Sequence, residues 1–289
     1  MPTLLSLPRC VAISALALVP CAMLAQSSKD WQKSYQVGSA AALSLAIDDT
    51  GAQIHSCGEC QNIRIHVTSD DLSRFTIEER QDGQHVSFSM KYRPHLGLFS
   101  FRGYHTHIDI ETPAKLDLDG QSSDGAIALS GTTGTVHLKT SDGSITLDGV
   151  AGPLDLTSSD GSVTIHRSSG SLSARTSDGS IEGDGRFDTL QLHSRDGSVK
   201  FALDPSTRLT GASSIETSDG SVVLHVPHDF AAAVSLSSRD GKVLCELPLL
   251  TQSYDSHSSS HSHIEGSLNG GSVPLTLRAS DGSITVKAL

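Results

Sequence analysis

Cys57-Gly58-Glu59-Cys60 is the stretch of this 289-residue chain that places reactive side chains at the most meaningful spacing. Thiols three positions apart can close a local disulfide across a tight turn, exchange disulfides as a redox pair, or supply half of a zinc site. Redox exchange needs a helix N-terminus to lower the thiol pKa, and the residues around this pair alternate as strand and turn. A disulfide is therefore the preferred reading, with a metal site shared with His55 or another histidine as its rival. His257, His261 and His263 stand in a Ser-rich stretch where three imidazoles could take up Zn²⁺ or Cu²⁺ adventitiously. The plainer reading is a solvated polar loop, and no metal or other cofactor is assigned.

Carboxylates form the other candidate. Asp-Gly pairs recur as Asp124-Gly125, Asp142-Gly143, Asp160-Gly161, Asp178-Gly179, Asp196-Gly197, Asp219-Gly220, Asp240-Gly241 and Asp281-Gly282. A column of Asp side chains invites a calcium reading, but the Gly-Gly-x-Gly-x-Asp unit of calcium β-rolls is missing. Two such charges ~4.8 Å apart in water repel by only about 0.9 kcal/mol, so no ion is needed to explain the column. The pairs read as structural turns, with Gly at positive φ and Asp bonding forward to the backbone. His-Glu-x-x-His, Gly-x-Ser-x-Gly and the phosphate loop are all missing, so no catalytic residue is named.

The elements that must carry these residues follow from the repeat. The first five pairs keep a spacing of 18 residues, and such self-similarity marks a solenoid. Between corners the apolar residues alternate, as in Val136, Leu138, Ile145, Leu147 and Leu154, Leu156, Val163, Ile165; period two is strand. A second corner falls about ten residues after each Asp, at Gly134, Gly152, Gly170 and Asp188. Each coil then holds two short strands, and the stack makes two facing parallel sheets about 10 Å apart that aliphatic side chains can fill. Aromatic content of 4% agrees with such a thin core. Cys245 takes an inward position equivalent to Leu147 and Ile165, so it is expected to be buried.

Residues 1–25 carry one basic residue, Arg9, an apolar run and a polar switch after Ala25, the pattern of a secretory signal peptide. Cys21 makes a lipoprotein signal the less favoured alternative. Residues 26–34 read as a flexible leader, 35–119 as an irregular β region capping the solenoid, and 120–289 as the solenoid, with an insertion at 247–267. A formal net charge of −11 argues against nucleic acid as a partner. No stretch after the leader is long and apolar enough for a membrane-spanning helix.

Thr140-Ser141-Asp142-Gly143-Ser144-Ile145, with its copies at Thr176–Ile181 and Thr217–Val222, resembles the repeat of the "putative adhesin" β-strand family of secreted bacterial proteins. The likeness covers roughly residues 35–289. It implies an all-β solenoid at the cell envelope and brings no catalytic or binding residues. The resulting expectation is a non-enzymatic extracytoplasmic protein, periplasmic, secreted or on the cell surface, whose partner is an envelope component or glycan. The alternatives are a carbohydrate-active β-helix enzyme and a scaffold that polymerises end to end. The last strand, Ser283–Leu289, is expected to form an open terminal rung, guarded only by Lys287, that self-associates, docks a partner strand or faces solvent.

Overall fold

The alternating pattern folds into a stack of two-stranded coils in a computed structural model that describes residues 29–93, 105–255 and 262–289. The expected signal peptide at 1–25, His257 and His261 lie outside the described residues. The first strands are β1 (Asp30–Gln36), β2 (Ala40–Ile47), β3 (Gly51–Ser56), β4 (Asn62–Ser69), β5 (Phe75–Asp82), β6 (His85–Tyr92) and β7 (Thr106–Thr112). There follow β8 (Lys115–Ser122), β9 (Ile127–Ser130), β10 (Val136–Thr140), β11 (Ile145–Asp148), β12 (Ala151–Thr157), β13 (Val163–Thr176), β14 (Ile181–Ser194), β15 (Val199–Leu203), β16 (Ser213–Thr217) and β17 (Val222–Val226). The chain ends with β18 (Ala232–Ser238), β19 (Val243–Cys245), β20 (Leu249–Asp255), β21 (Ser262–Leu268), β22 (Pro274–Ala279) and β23 (Ile284–Ala288). No helix among the described residues is long and apolar enough to cross a membrane.

Parallel pairing builds two sheets. In the front sheet β6, β2, β8, β10, β12, the second halves of β13 and β14, β16, β22 and β18 lie side by side. In the back sheet the order is β7, β3, β9, β11, the first halves of β13 and β14, β15, β17, β23 and β19. The 18-residue coil appears directly in the register, with Val136 beside Leu154 and Ile145 beside Val163. Inward residues of both sheets fill the space between them, and Ile145, Leu147, Val163, Ile165, Val199, Phe201, Val222, Leu224, Ile284 and Val286 are all buried. Phe201 fits where the equivalent residues of adjoining coils are aliphatic or Gly because Gly183, beside it on β14, leaves its ring room, and it packs on Phe187 with ring centroids 5.7 Å apart.

Four expectations are corrected. Val243 and Cys245 are only partly buried, since among the described residues β19 pairs with β23 alone and no strand covers its other edge. Burial nevertheless pushes the Cys245 thiol pKa upward. The C-terminal strand is not a terminal rung: β23 lies between β17 and β19, and β22 lies between β16 and β18. The reason lies in the described part of the insertion at 247–267, which holds two strands. Its strands β20 and β21 form an antiparallel hairpin on β18, and this turns the chain back so that the last coil enters the stack one place early. The other end repeats the device, with the β2–β3 coil held between β6–β7 and β8–β9. Regular coils therefore begin at residue 40, well before 120, and residues 30–34 belong to β1 and not to a leader.

The N-terminal end is closed by aromatic residues and an ionic clasp. Among the described residues Trp31, Tyr35, Phe75, Phe88 and Tyr92 gather at this end. Trp31 packs on Phe88 with ring centroids 5.4 Å apart, and Phe75 on Tyr92 at 5.9 Å. Antiparallel β1 and β5 edge the two sheets, and Glu79 of β5 joins them by accepting hydrogen bonds from the Tyr35 hydroxyl at 2.7 Å and from Lys33. Burial resists ionisation of Glu79, yet the bonds from Lys33 and Tyr35 outweigh it and hold its carboxyl below the usual range.

A depressed carboxyl stabilises the fold above its unfolded pKa, about 4.3, and that contribution is lost as pH falls through the folded value. Glu79→Gln is therefore expected to cost about 1 kcal/mol at pH 7, as charge-assisted bonds at a partly exposed site do. It should also flatten the fall of melting temperature below about pH 4.3. Thermal melts of both proteins from pH 7 to pH 3 measure this.

Candidate binding faces

The Asp-Gly corners owe their glycines to close stacking and not to a left-handed turn. None of the eight corner glycines lies at positive φ. A Cβ built at Gly143 would overlap the carbonyl of Gly125, one at Gly161 that of Gly143, one at Gly179 that of Gly161, and one at Gly197 that of Gly179. Positive φ belongs to the opposite corner, at Gly131 (68°), Gly149 (64°) and Arg167 (48°), and at Gly134, Gly152 and Gly170. The expected forward bond from Asp is also absent: among the described residues the carboxylates of Asp142, Asp160, Asp178 and Asp196 accept no hydrogen bond and stand exposed in a column.

At five of the eight corners the hydroxyl two residues before the Asp does the capping, and sequence reasoning passed over it. Thr176 Oγ1 accepts from Gly179 N–H at 3.1 Å and donates to Gly161 O in the coil below at 3.2 Å. Ser158 does the same with Gly161 and Gly143, Ser194 with Gly197 and Gly179, Thr217 with Gly220 and Gly197, and Ser238 with Gly241 and Gly282. The signal was in view, since Ser or Thr stands at that position in seven of the eight copies. The exception is Ala279, which leaves the ladder without a hydroxyl at one rung. Ala279→Ser is expected to stabilise the fold by about 0.5–1.5 kcal/mol, a shift readable in urea melts.

The outer faces carry polar side chains in columns, one per coil. Charged groups on neighbouring rungs pair across the ladder: His137 with Asp155 (3.7 Å), Arg175 with Asp155 (3.5 Å), and Glu216 with both His193 (4.0 Å) and Arg278 (3.7 Å) on the front sheet. On the back sheet His166 Nδ1 lies 2.9 Å from Asp184, and His55 Nδ1 lies 3.2 Å from Asp109. Asp184 is held below the usual carboxylate range because, although burial opposes it, bonds from His166 and the Arg167 N–H prevail. Two of these pairs, His137–Asp155 and His166–Asp184, are 18 residues apart and follow from the coil length.

The remaining candidates do not converge. Cys57 and Cys60 are placed as a disulfide with Cα atoms 5.9 Å apart, just after β3 at the edge of a coil. His263 sits in β21 with Nε2 3.1 Å from Glu265, two residues on along the same strand. Asp49 tops the carboxylate column, and burial, then Asp124, then Asp48 push its pKa upward. Among the described residues no three His, Cys, Asp or Glu side chains gather as a metal-binding group.

The Toastrack DUF4097 family profile matches residues 43–287 of this chain. No functionally curated protein matches it. A solved structure of a putative adhesin from Parabacteroides merdae ATCC 43184 is 11% identical, with 90% of this chain and 97% of that chain covered at a TM-score of 0.50, and so shares the fold. A putative cell adhesion protein from Clostridium sporogenes ATCC 15579 is 13% identical, with 90% and 100% covered and a TM-score of 0.28. A putative adhesin from Bacteroides fragilis NCTC 9343 is 10% identical, with 91% and 98% covered and a TM-score of 0.36.

Proposed function

Because this chain belongs to the Toastrack DUF4097 family, we propose that it acts outside the cytoplasm as a rigid, non-catalytic scaffold whose outer sheet faces hold a component of the cell envelope, in the manner of an adhesin. The observation that carries this reading is the regular outer surface itself. Interlocked coils fix Ser, Thr, His, Asp and Arg side chains in straight columns at a spacing of ~4.8 Å, a preorganised array for a repeating polar ligand. The putative adhesin of Parabacteroides merdae that shares this fold and the secretory pattern at the N-terminus support the location.

The cysteine pair supports the compartment as well, because a structural disulfide persists in an oxidising environment. In protein recovered from outside the cytoplasm, Cys57 and Cys60 are expected to be linked, so that a tryptic peptide containing both is lighter by one hydrogen molecule than its reduced form. Free thiols at both positions would remove that support.

The functional test is binding of the mature chain to purified envelope polysaccharide, with the polymer's size distribution followed in the same sample. Retention without shortening is the expected result. Shortening of the polymer would make the protein an enzyme, and no retention of any envelope fraction would end the adhesin reading.

A further inference from the structure

At the N-terminal end of the front sheet the outward side chains of two adjacent rungs are small. Ser87 and Ser89 of β6 and Ser44 and Ala46 of β2 form a floor, because the register places Ser44 beside Ser87 and Ala46 beside Ser89. Two polar walls rise beside it. Arg80 and Glu78 stand opposite Ser87 and Ser89 on β5, while Asp119 and Gln121 stand beside Ser44 and Ala46 on β8. The result is a groove of about 360 Å³, within the size range of small-ligand sites. The walls are three rung spacings apart, roughly 14 Å between backbones.

Elsewhere on the outer faces several charged groups pair between neighbouring rungs, as His137 does with Asp155 and His166 with Asp184. In this groove the small floor separates the β5 wall from the β8 wall, and among the described residues Glu78, Arg80, Asp119 and Gln121 make no side-chain hydrogen bond or ion pair. Two carboxylates, a guanidinium and an amide, all exposed to solvent, thus line one groove with no protein partner to displace.

We infer that this groove is the seat of a neutral glycan chain lying along β2 and β6, a refinement that rests on the envelope-binding reading above. Sugar hydroxyls both donate and accept, so one chain can satisfy the carboxylates of Glu78 and Asp119 and the donors of Arg80 and Gln121 at once. A polyanion is disfavoured by the two carboxylates and by the net charge of −11. A peptide strand finds no free edge on the groove floor, since β2 is paired on both sides and β6 likewise. The floor's Ser and Ala allow a ring to approach the sheet closely, and Ser44 is already bonded to His85 at 2.8 Å, which fixes its hydroxyl.

The test is calorimetric titration of the full mature chain with cellohexaose, chitohexaose and maltohexaose, and with oligogalacturonate as the acidic probe. Binding of at least one neutral hexasaccharide is expected. The Glu78→Gln, Asp119→Asn double variant should weaken it by about tenfold or more, since hydrogen bonds to charged groups are lost. Ala46→Trp should abolish it by filling the floor, while Thr146→Trp on the back sheet leaves it within about twofold. Thermal melts confirm that each variant is folded. Equal binding by all variants, tighter binding of the acidic probe, or no hexasaccharide binding would each overturn the groove. Retention of envelope polysaccharide, measured separately, then shows whether the adhesin reading survives that failure.

Discussion

Gly161→Ala is expected to destabilise the protein by about 3 kcal/mol or more, because the new Cβ lands on the Gly143 carbonyl of the coil below. That neighbour is backbone and cannot swing aside. The two coils must separate locally, which also strains the hydrogen bond from Gly161 N–H to Ser158. The informative control is Gly149→Asn. Gly149 has φ of 64° with no heavy atom within 4 Å of a built Cβ, so it needs a left-handed backbone and not empty space. Asn tolerates that conformation, and the cost there should stay under about 1 kcal/mol. Urea melts that showed Gly161→Ala to be as mild as Gly149→Asn would refute the stacking account of the Asp-Gly corners.

Thr176→Val, the second large effect, should cost about 2–4 kcal/mol although it changes neither shape nor volume appreciably. Thr176 is 4% exposed, and its hydroxyl satisfies Gly179 N–H and Gly161 O together. An isosteric methyl leaves one buried donor and one buried acceptor without that partner, and each such group carries a penalty of about 1–3 kcal/mol. Thr176→Ser keeps the hydroxyl and should recover most of the loss. If Val and Ser behaved alike in denaturant melts, the ladder would be incidental to the stability of the stack.

Both predictions concern the same short motif, and they show how far a repeat can be read. The spacing of 18 between corners and the alternation of Ile145, Leu147, Val163 and Ile165 are local properties of the chain, because strand periodicity and coil length need no knowledge of distant residues. Two facing parallel sheets, a thin aliphatic core and an exposed Asp column follow from them directly.

The reason for each corner residue was not legible. Gly, Asp and Thr have strong local turn roles, so a reading of the motif alone assigns positive φ to Gly and a forward bond to Asp. Only with coils stacked does it emerge that Gly143 is pressed by Gly125 from below and that Thr140 and Ser158 bond between coils. Likewise the chain order of the coils predicted β23 as the last rung. The hairpin of β20 and β21 overrides that order, because antiparallel pairing on β18 reverses the chain and leaves the place beside β17 to be filled by β23. The amino-acid sequence by itself determined the coil, its two strands and its inward residues, which depend on nearest neighbours along the chain. The tertiary structure decided which coil lies on which, which edge stays open and where unpaired polar groups face one groove, since those depend on contacts between segments far apart in sequence.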